Sequence, residues 1–323
     1  MDWTGRKVLV TGGAGFLGSN LSRELARQGA RVTALDGFLF GGGANVANLR
    51  DAPVEFVQGD IRDLDLRVLC EGCEVIFNLA AQTSHMGGQA DPLADIAVNA
   101  VAQLRLIQAA REAAPEAVVV HASTRQFYGR PEVLPVDEHH PIAPPDANGV
   151  SKFAGEQYWM LEQRVRGRPV VSLRLTNCYG PAQRIRDARQ NFLGVWIRAV
   201  LEDKPFEVWG GAQKRDMTYV DDVTRAFIDA AATPACHGRI FNIGGPPPVS
   251  LQQIADLMVS LTKGKAGYVT REFPAERARI DIGDYYADDS AFRAATGWSP
   301  QVSIEDGVAR SIDWFRERLA DYL

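Results

Sequence analysis

The stretch VTGGAGFLG, residues 10–18, most constrains what this chain can fold into. KVLVT (7–11) leads into it, apolar and β-branched as a strand buried on both faces is. FLGSNLSRELARQG (16–29) leads out of it with helical spacing and a glycine stop. Gly12, Gly15 and Gly18 therefore occupy a turn from strand into helix. Without Cβ atoms the turn can be tight, and its backbone can approach an anion that the helix N-terminus stabilises. The pattern then repeats. RVTALD (31–36), VEFVQGD (54–60), VIFNLA (75–80), AVVVHAS (117–123) and PVVSLRL (169–175) predict further buried strands, and helices are predicted over 91–113 and 149–166. Such alternation predicts an α/β fold with a parallel, doubly wound sheet.

A glycine turn after a first strand, followed by an acidic residue ending the second, is a dinucleotide site of Rossmann type. Asp36 is that residue. Its carboxylate can accept hydrogen bonds from the adenosine ribose and would repel a 2′-phosphate, and Gly37 offers no compensating cation. NAD is expected rather than NADP. GDIRD places Asp60 and Ile61 after the third strand, where an adenine edge can be met. NLAAQTS places small residues through Ala81 where the cofactor would cross. Beyond residue 176 the pattern changes to short elements between loops rich in Gly, Pro and Arg. A dinucleotide-binding domain is therefore expected over 1–176, with 216–244 returning to it, and a smaller, interleaved substrate-binding domain over 177–323.

Net charge is −5, which indicates no general attraction to nucleic acid. No apolar run reaches the roughly 18 residues of a membrane helix, and MDWTGRKVLVTGG is unlike a signal peptide, so a cytoplasmic protein is expected. Cys70 and Cys73 form a lone C-x-x-C without a second Cys/His pair near it, and His139 and His140 stand in a proline-rich loop; no metal is expected at either.

Nearly the whole chain resembles the extended short-chain dehydrogenase/reductases, in particular the nucleotide-sugar epimerases, dehydratases and decarboxylases. The resemblance rests on TGGAGFLG, Asp36, GDI, NLAA, Asn99, STRQFYG, GVSKFAGE, LRLTNCYGP, RDMTYVDDV, FNIGG and GDYYADDSAFRAATGWSP, in that order. It implies a Rossmann domain holding NAD, a C-terminal domain binding a nucleotide-diphosphate sugar, and a homodimer. By the resemblance the cofactor meets Gly12, Gly15, Phe16, Leu17, Gly18, Asp36, Asp60, Ile61, Leu79, Ala80, Ala81, Asn99 and Lys152. The substrate meets Asn177, Asn191, Trp209 and Arg215, and His85, Arg125 and Gln126 are placed to join them.

Members of this family carry a Ser/Thr, Tyr, Lys catalytic set. Here the first is Thr124 and the last Lys152, and the tyrosine position holds Asn148. Tyrosine can take a hydroxyl proton because its pKa can be lowered from about 10; an amide cannot titrate. Three readings follow. Another group, Lys152, His85 or Thr124 through water, takes the proton. Or the reaction avoids that step. Or the protein binds NAD without turnover. A second departure is Asp281, standing where many relatives place a phosphate-binding arginine. Either Arg277 or Arg279 takes over there or the ligand carries less negative charge, and Arg184, Arg186 and Arg189 around Asp187 are a candidate anion clamp.

Overall fold

Each apolar run of the first half forms a strand of one sheet. The structure is a computed structural model and describes residues 1–39, 43–187, 192–262, 266–275 and 280–323. β1 (Lys7–Thr11), β2 (Arg31–Asp36), β3 (Glu55–Gln58), β4 (Val75–Asn78), β5 (Val118–Thr124), β6 (Val170–Leu175) and β7 (Ile240–Ile243) make a seven-stranded sheet. Its order is β7-β6-β5-β4-β1-β2-β3, with every pair parallel. The order reverses between β1 and β4, and the crevice that this topology leaves lies at the strands' carboxyl ends.

Helices flank the sheet: α1 (Phe16–Arg27), α2 (Leu66–Cys70), α3 (His85–Ala90), α4 (Pro92–Ile96), α5 (Ala102–Ala113), α6 (Ala147–Arg166) and, beyond α7 (Phe192–Leu201), which packs with the remaining chain, α8 (Val220–Ala232). α1 buries Leu21 and Leu25 in the core shared by β1, β4 and α8. α5 and α6 bury Leu106, Ile107 and Trp159 on the other face. Cys70 and Cys73 are buried free thiols within that second layer, and burial pushes their pKa values up to about 12 and about 11. The helix predicted over 91–113 is interrupted. A π turn at Ala97–Val101 separates α4 from α5. α6 approaches this turn so closely that a Cβ on Gly155 would stand 2.2 Å from the Asn99 carbonyl oxygen. Asp146 caps α6, its Oδ1 accepting the Gly149 N–H at 2.7 Å.

The remaining chain gathers a separate apolar cluster around Trp196, Phe206, Ile254 and Phe315. Three two-stranded ladders join its pieces. Asn177–Tyr179 and Phe206–Trp209 pair in parallel with Met217–Tyr219 and Tyr268–Arg271, and Lys214–Arg215 pairs antiparallel with Val249–Ser250. No helix among the described residues is long and apolar enough to cross a membrane.

Candidate active site

The glycine turn is wedged against the end of β4. Gly12 has φ +69°, and a Cβ there would stand 2.8 Å from the Leu79 carbonyl oxygen. A Cβ on Gly18 would stand 2.1 Å from the Gly12 carbonyl oxygen. Gly15 is the N-cap of α1 and has no side chain to offer, so the first N–H groups of the helix lack a side-chain partner. Phe16, Leu17 and Gly18 line the cleft at this point. Free N–H groups and the helix dipole favour a phosphate there.

Asp36 ends β2 on the same cleft and accepts the N–H groups of Phe38 at 3.0 Å and Ala14 at 3.2 Å. Burial pushes its carboxyl pKa up, and these N–H groups oppose the rise. Asp60 and Ile61 follow β3. Burial raises the Asp60 carboxyl, but Arg62, at 2.6 Å through Nη2, holds it below its ordinary value. Leu79, Ala80 and Ala81 continue from β4. The N–H groups of Leu79 and Ala80 reach Thr11 Oγ1 at 3.2 and 3.1 Å, which pins the strand end. Asn99 stands behind this wall. Its Oδ1 accepts the Gln82 N–H at 2.9 Å and its Nδ2 donates to the Gln82 carbonyl at 3.2 Å.

Thr124, Asn148 and Lys152 meet in the middle of the cleft. Thr124 Oγ1 accepts the Gln126 N–H at 3.2 Å. Ser123 turns inward, donating at 2.7 Å to Glu156, which is ion-paired with Arg174 in the core. Lys152 makes no hydrogen bond or ion pair among the described residues. Burial pushes its ammonium pKa down to about 8, with the Asp95 charge opposing.

Asn148 is almost fully buried. Its Nδ2 donates to the Gln82 carbonyl at 3.0 Å and to Asp95 Oδ1 at 2.9 Å. Both neighbours are acceptors, so turning the amide over would set oxygen against oxygen. Its orientation is thereby determined, and both N–H bonds are spent. Only Oδ1 remains, which can accept from a hydroxyl and cannot donate to a ketone. Asp95 is caged in turn by Ser151 Oγ and by Asn99 Nδ2 at 3.2 Å. Neither Tyr128 nor Tyr158 presents its phenol to the cleft. Tyr128 is bonded in the core to Arg174 at 2.7 Å and Asn242 at 2.9 Å, and burial pushes its pKa up to about 12. Tyr158 is exposed and does not line the cleft.

A glycine turn, an acidic strand end and a Thr/Lys pair on one cleft occur together in a known family. The NAD dependent epimerase/dehydratase family matches residues 8–244. The chain belongs to that family. It is 33% identical over 319 residues to the UDP-glucose 4-epimerase of Mycolicibacterium smegmatis, which spans 97% of this chain and 99% of that one. The solved epimerase Mth375 of Methanothermobacter thermautotrophicus has a TM-score of 0.91 at 27% identity, covering 98% of this chain and 94% of that one. The UDP-glucuronic acid 4-epimerase of Bacillus cereus, solved with UDP-glucuronic acid and NAD, has a TM-score of 0.85 at 27% identity, covering 97% and 99%. Membership makes the chain an NAD-dependent enzyme. The crowded glycine turn, the uncapped start of α1 and the carboxylate of Asp36 on the same cleft fit that cofactor.

In this epimerase/dehydratase family member the cleft continues to Arg125, Asn177 and Gln183. Arg125 Nη2 donates to Asn177 Oδ1 at 3.0 Å, and its guanidinium lies 4.7 Å from the Tyr285 ring centroid. Arg125 Nη1, Asn177 Nδ2 and both amide atoms of Gln183 are buried without a partner among the described residues. Buried polar atoms are ordinarily paired, so these mark where a polar ligand completes the shell. Sequence spacing points to Arg125 and Asn177 and is silent on Gln183. It also contains Asp95, unremarked, four residues before Asn99 and so on the same helical face.

Arg215 and Trp209 do not line this cleft. Arg215 Nη2 is 3.3 Å from Asp281 Oδ1, and its Nη1 donates to the Lys214 carbonyl at 2.9 Å and to that of Gly283. Asp281 thus offsets the charge of Arg215. Trp209 Nε1 donates to Glu207 at 3.2 Å, and its ring meets Phe273 edge-on. Arg184 lines the cleft and pairs with Asp187 at 2.8 Å. Asn191, Arg189, Arg277 and Arg279 lie outside the described residues. Among the described residues no group of three or more His, Cys, Asp or Glu is arranged to hold a metal.

Proposed function

We propose that the chain epimerises or dehydrates a nucleotide-diphosphate sugar through transient oxidation of one hydroxyl, with proton transfer moved away from position 148. NAD, when bound, supplies the oxidant, accepting a hydride from the sugar carbon and returning it. One observation carries the reading: a single cleft runs from the glycine turn past Thr124 and Lys152 to the unpaired polar atoms of Arg125, Asn177 and Gln183. In this reading Thr124 and the Lys152 ammonium hold the reacting oxygen, and Asn148 Oδ1 accepts from a sugar hydroxyl. Arg125 and Asn177 take polar groups of the sugar. The relatives named as epimerases of UDP-glucose and UDP-glucuronic acid support this class of substrate. The test is incubation with NAD and a panel of nucleotide-diphosphate sugars, followed by mass spectrometry and NMR of the sugar. An inverted carbon or loss of water is expected. Retained NAD with no conversion of any sugar would overturn the reading in favour of a cofactor-binding protein.

The diphosphate is assigned to Arg215, restrained by Asp281. Asp281→Asn should release the arginine and lower KM about 3- to 10-fold, the scale of one charge-assisted contact near the surface. An unchanged KM would remove Arg215 from the diphosphate site. The assembly is assigned as a homodimer built on α6 and the α4–α5 segment. Val150, Tyr158, Leu161 and Val165 form an exposed stripe on one face of α6, with Leu93, Ile96 and Val101 exposed on the α4–α5 segment that packs against α6. Leu161→Asp with Val165→Asp should yield a monomer in analytical ultracentrifugation; a monomeric parent protein would exclude the dimer. The four free cysteines support a reducing, cytoplasmic location.

A further inference from the structure

We propose that His85 and Asp146 form the proton-transfer pair of this enzyme, His85 Nε2 taking the proton that a tyrosine at position 148 would take. The inference rests on the function proposed above and says which atoms carry its proton.

The amide at 148 has no N–H left to give and cannot titrate. The proton of the reacting hydroxyl needs another acceptor on the same stretch of wall. His85, the first residue of α3, lines the cleft with Thr124, Asn148 and Lys152. α3 lies directly on position 148: one turn beyond His85, a Cβ on Gly88 would stand 3.3 Å from the Asn148 Cβ. His85 Nδ1 stands 3.0 Å from Asp146 Oδ2. The imidazole is partly open to the cleft, with 40% of its side chain exposed, while the Asp146 side chain is fully buried.

Asp146 is held from two other sides. Its Oδ1 caps α6 through the Gly149 N–H, and its Oδ2 accepts Gln126 Nε2 at 3.0 Å. Gln126 also donates its backbone N–H to Thr124 Oγ1, so one residue ties the carboxylate to the hydroxyl expected at the reacting oxygen. Burial pushes the Asp146 carboxyl up, but His85, Gly149 and Gln126 together hold it below its ordinary value, so it stays ionised. A carboxylate at Nδ1 selects the tautomer with hydrogen on Nδ1 and leaves the Nε2 lone pair for the cleft. The 3.0 Å approach of Nδ1 to Oδ2 is an ion-pair contact that falls short of hydrogen-bond geometry. Contacts of this kind commonly tighten only when substrate binds.

The chemistry balances. The sugar O–H bond breaks and its proton forms an N–H bond at Nε2. The C–H hydride goes to NAD, the oxidant of the proposed function, and the carbonyl forms. The reverse step returns both. Asp146 offsets the charge of the imidazolium, and Lys152 keeps its proton and supplies a positive charge beside the oxygen. His85 is a catalytic residue in this scheme, and Asp146 is a positioning residue.

The test has two readouts. In the cofactor-free protein, ¹⁵N NMR should show His85 as the Nδ1–H tautomer, reverting to the commoner Nε2–H form in Asp146→Ala. In the holoenzyme, His85→Gln should lower kcat about 10²- to 10⁴-fold, the range for loss of a general base, with KM and NAD affinity within about threefold. Added imidazole should restore part of the activity of His85→Ala and none to Lys152→Ala. Asp146→Asn keeps the helix cap and should lower kcat without raising KM. Turnover of His85→Gln within threefold of the parent, or an Nε2–H tautomer in the parent, overturns the pair while leaving the function standing. Absence of any turnover by the parent protein overturns both.

Discussion

Lys152→Met should make the protein more stable and abolish its turnover. The ammonium is held within the cleft wall without a hydrogen bond, and its pKa is pushed down to about 8 by burial. The unfolded chain binds that proton up to about 10.5. At neutral pH the folded state therefore bears a cost on the order of 2–3 kcal/mol for keeping the charge. Methionine has similar length and no charge, so the variant should recover about 2 kcal/mol at pH 7 after allowance for the partial exposure of Lys152. The sign with pH is definite. The unfolded chain binds more protons than the folded one between pH 8 and 10.5, so the parent gains stability as pH rises through that window. The difference between variant and parent should be full below pH 8 and vanish above 10.5. Denaturant titrations at pH 7 and pH 10 measure it. A destabilised variant at pH 7 would mean that the ammonium has a partner in solution. Loss of turnover by about 10³-fold or more is expected, because the charge beside the reacting oxygen is lost.

Asp36→Ala should weaken NAD binding by about 10- to 100-fold, the loss expected when hydroxyls forfeit hydrogen bonds to a charged acceptor. The same change removes the negative charge that meets a 2′-phosphate, so NADP affinity should stay the same or rise. Equilibrium binding of the two dinucleotides separates the effects. Because burial has raised the Asp36 pKa, NAD affinity of the parent should begin to fall with acid at a higher pH than an exposed aspartate would give. An Asp36→Ala protein that binds NAD like the parent would remove Asp36 from the ribose site.

Much of the frame is legible in the residues because it depends on local patterns. KVLVT, RVTALD and PVVSLRL read as strands since continuous β-branched runs suit a sheet covered on both faces, and β1, β2 and β6 form within a residue of those bounds. The glycine turn is local at Gly18, where a Cβ would clash with the Gly12 carbonyl of the turn itself; at Gly12 it would instead meet Leu79, a residue distant in sequence. The helix over 91–113 shows the limit. Its apolar spacing runs through unbroken, yet a π turn interrupts it at Ala97–Val101, where the Asn99 carbonyl meets Gly155 of α6. That contact joins residues 56 positions apart, and no local spacing encodes it.

By itself the sequence determined that this is a dinucleotide-binding α/β enzyme fold with a non-titrating asparagine, Asn148, one helical turn before Lys152. The physical reason is that turn geometry, strand burial and the inability of an amide to titrate are properties of residues and their neighbours. Only the tertiary structure decided what that asparagine can do. Its N–H bonds are consumed by Asp95 and the Gln82 carbonyl, both brought in from another helix and a strand end. The same packing sets Asp281 against Arg215, restraining the cation that the resemblance offers to the substrate. It brings His85 to Asp146 as well, two residues separated by a strand and four helical segments. Hydrogen-bond capacity can be read from a residue's name, but how much of it remains for a ligand depends on which distant groups the fold has already set beside it.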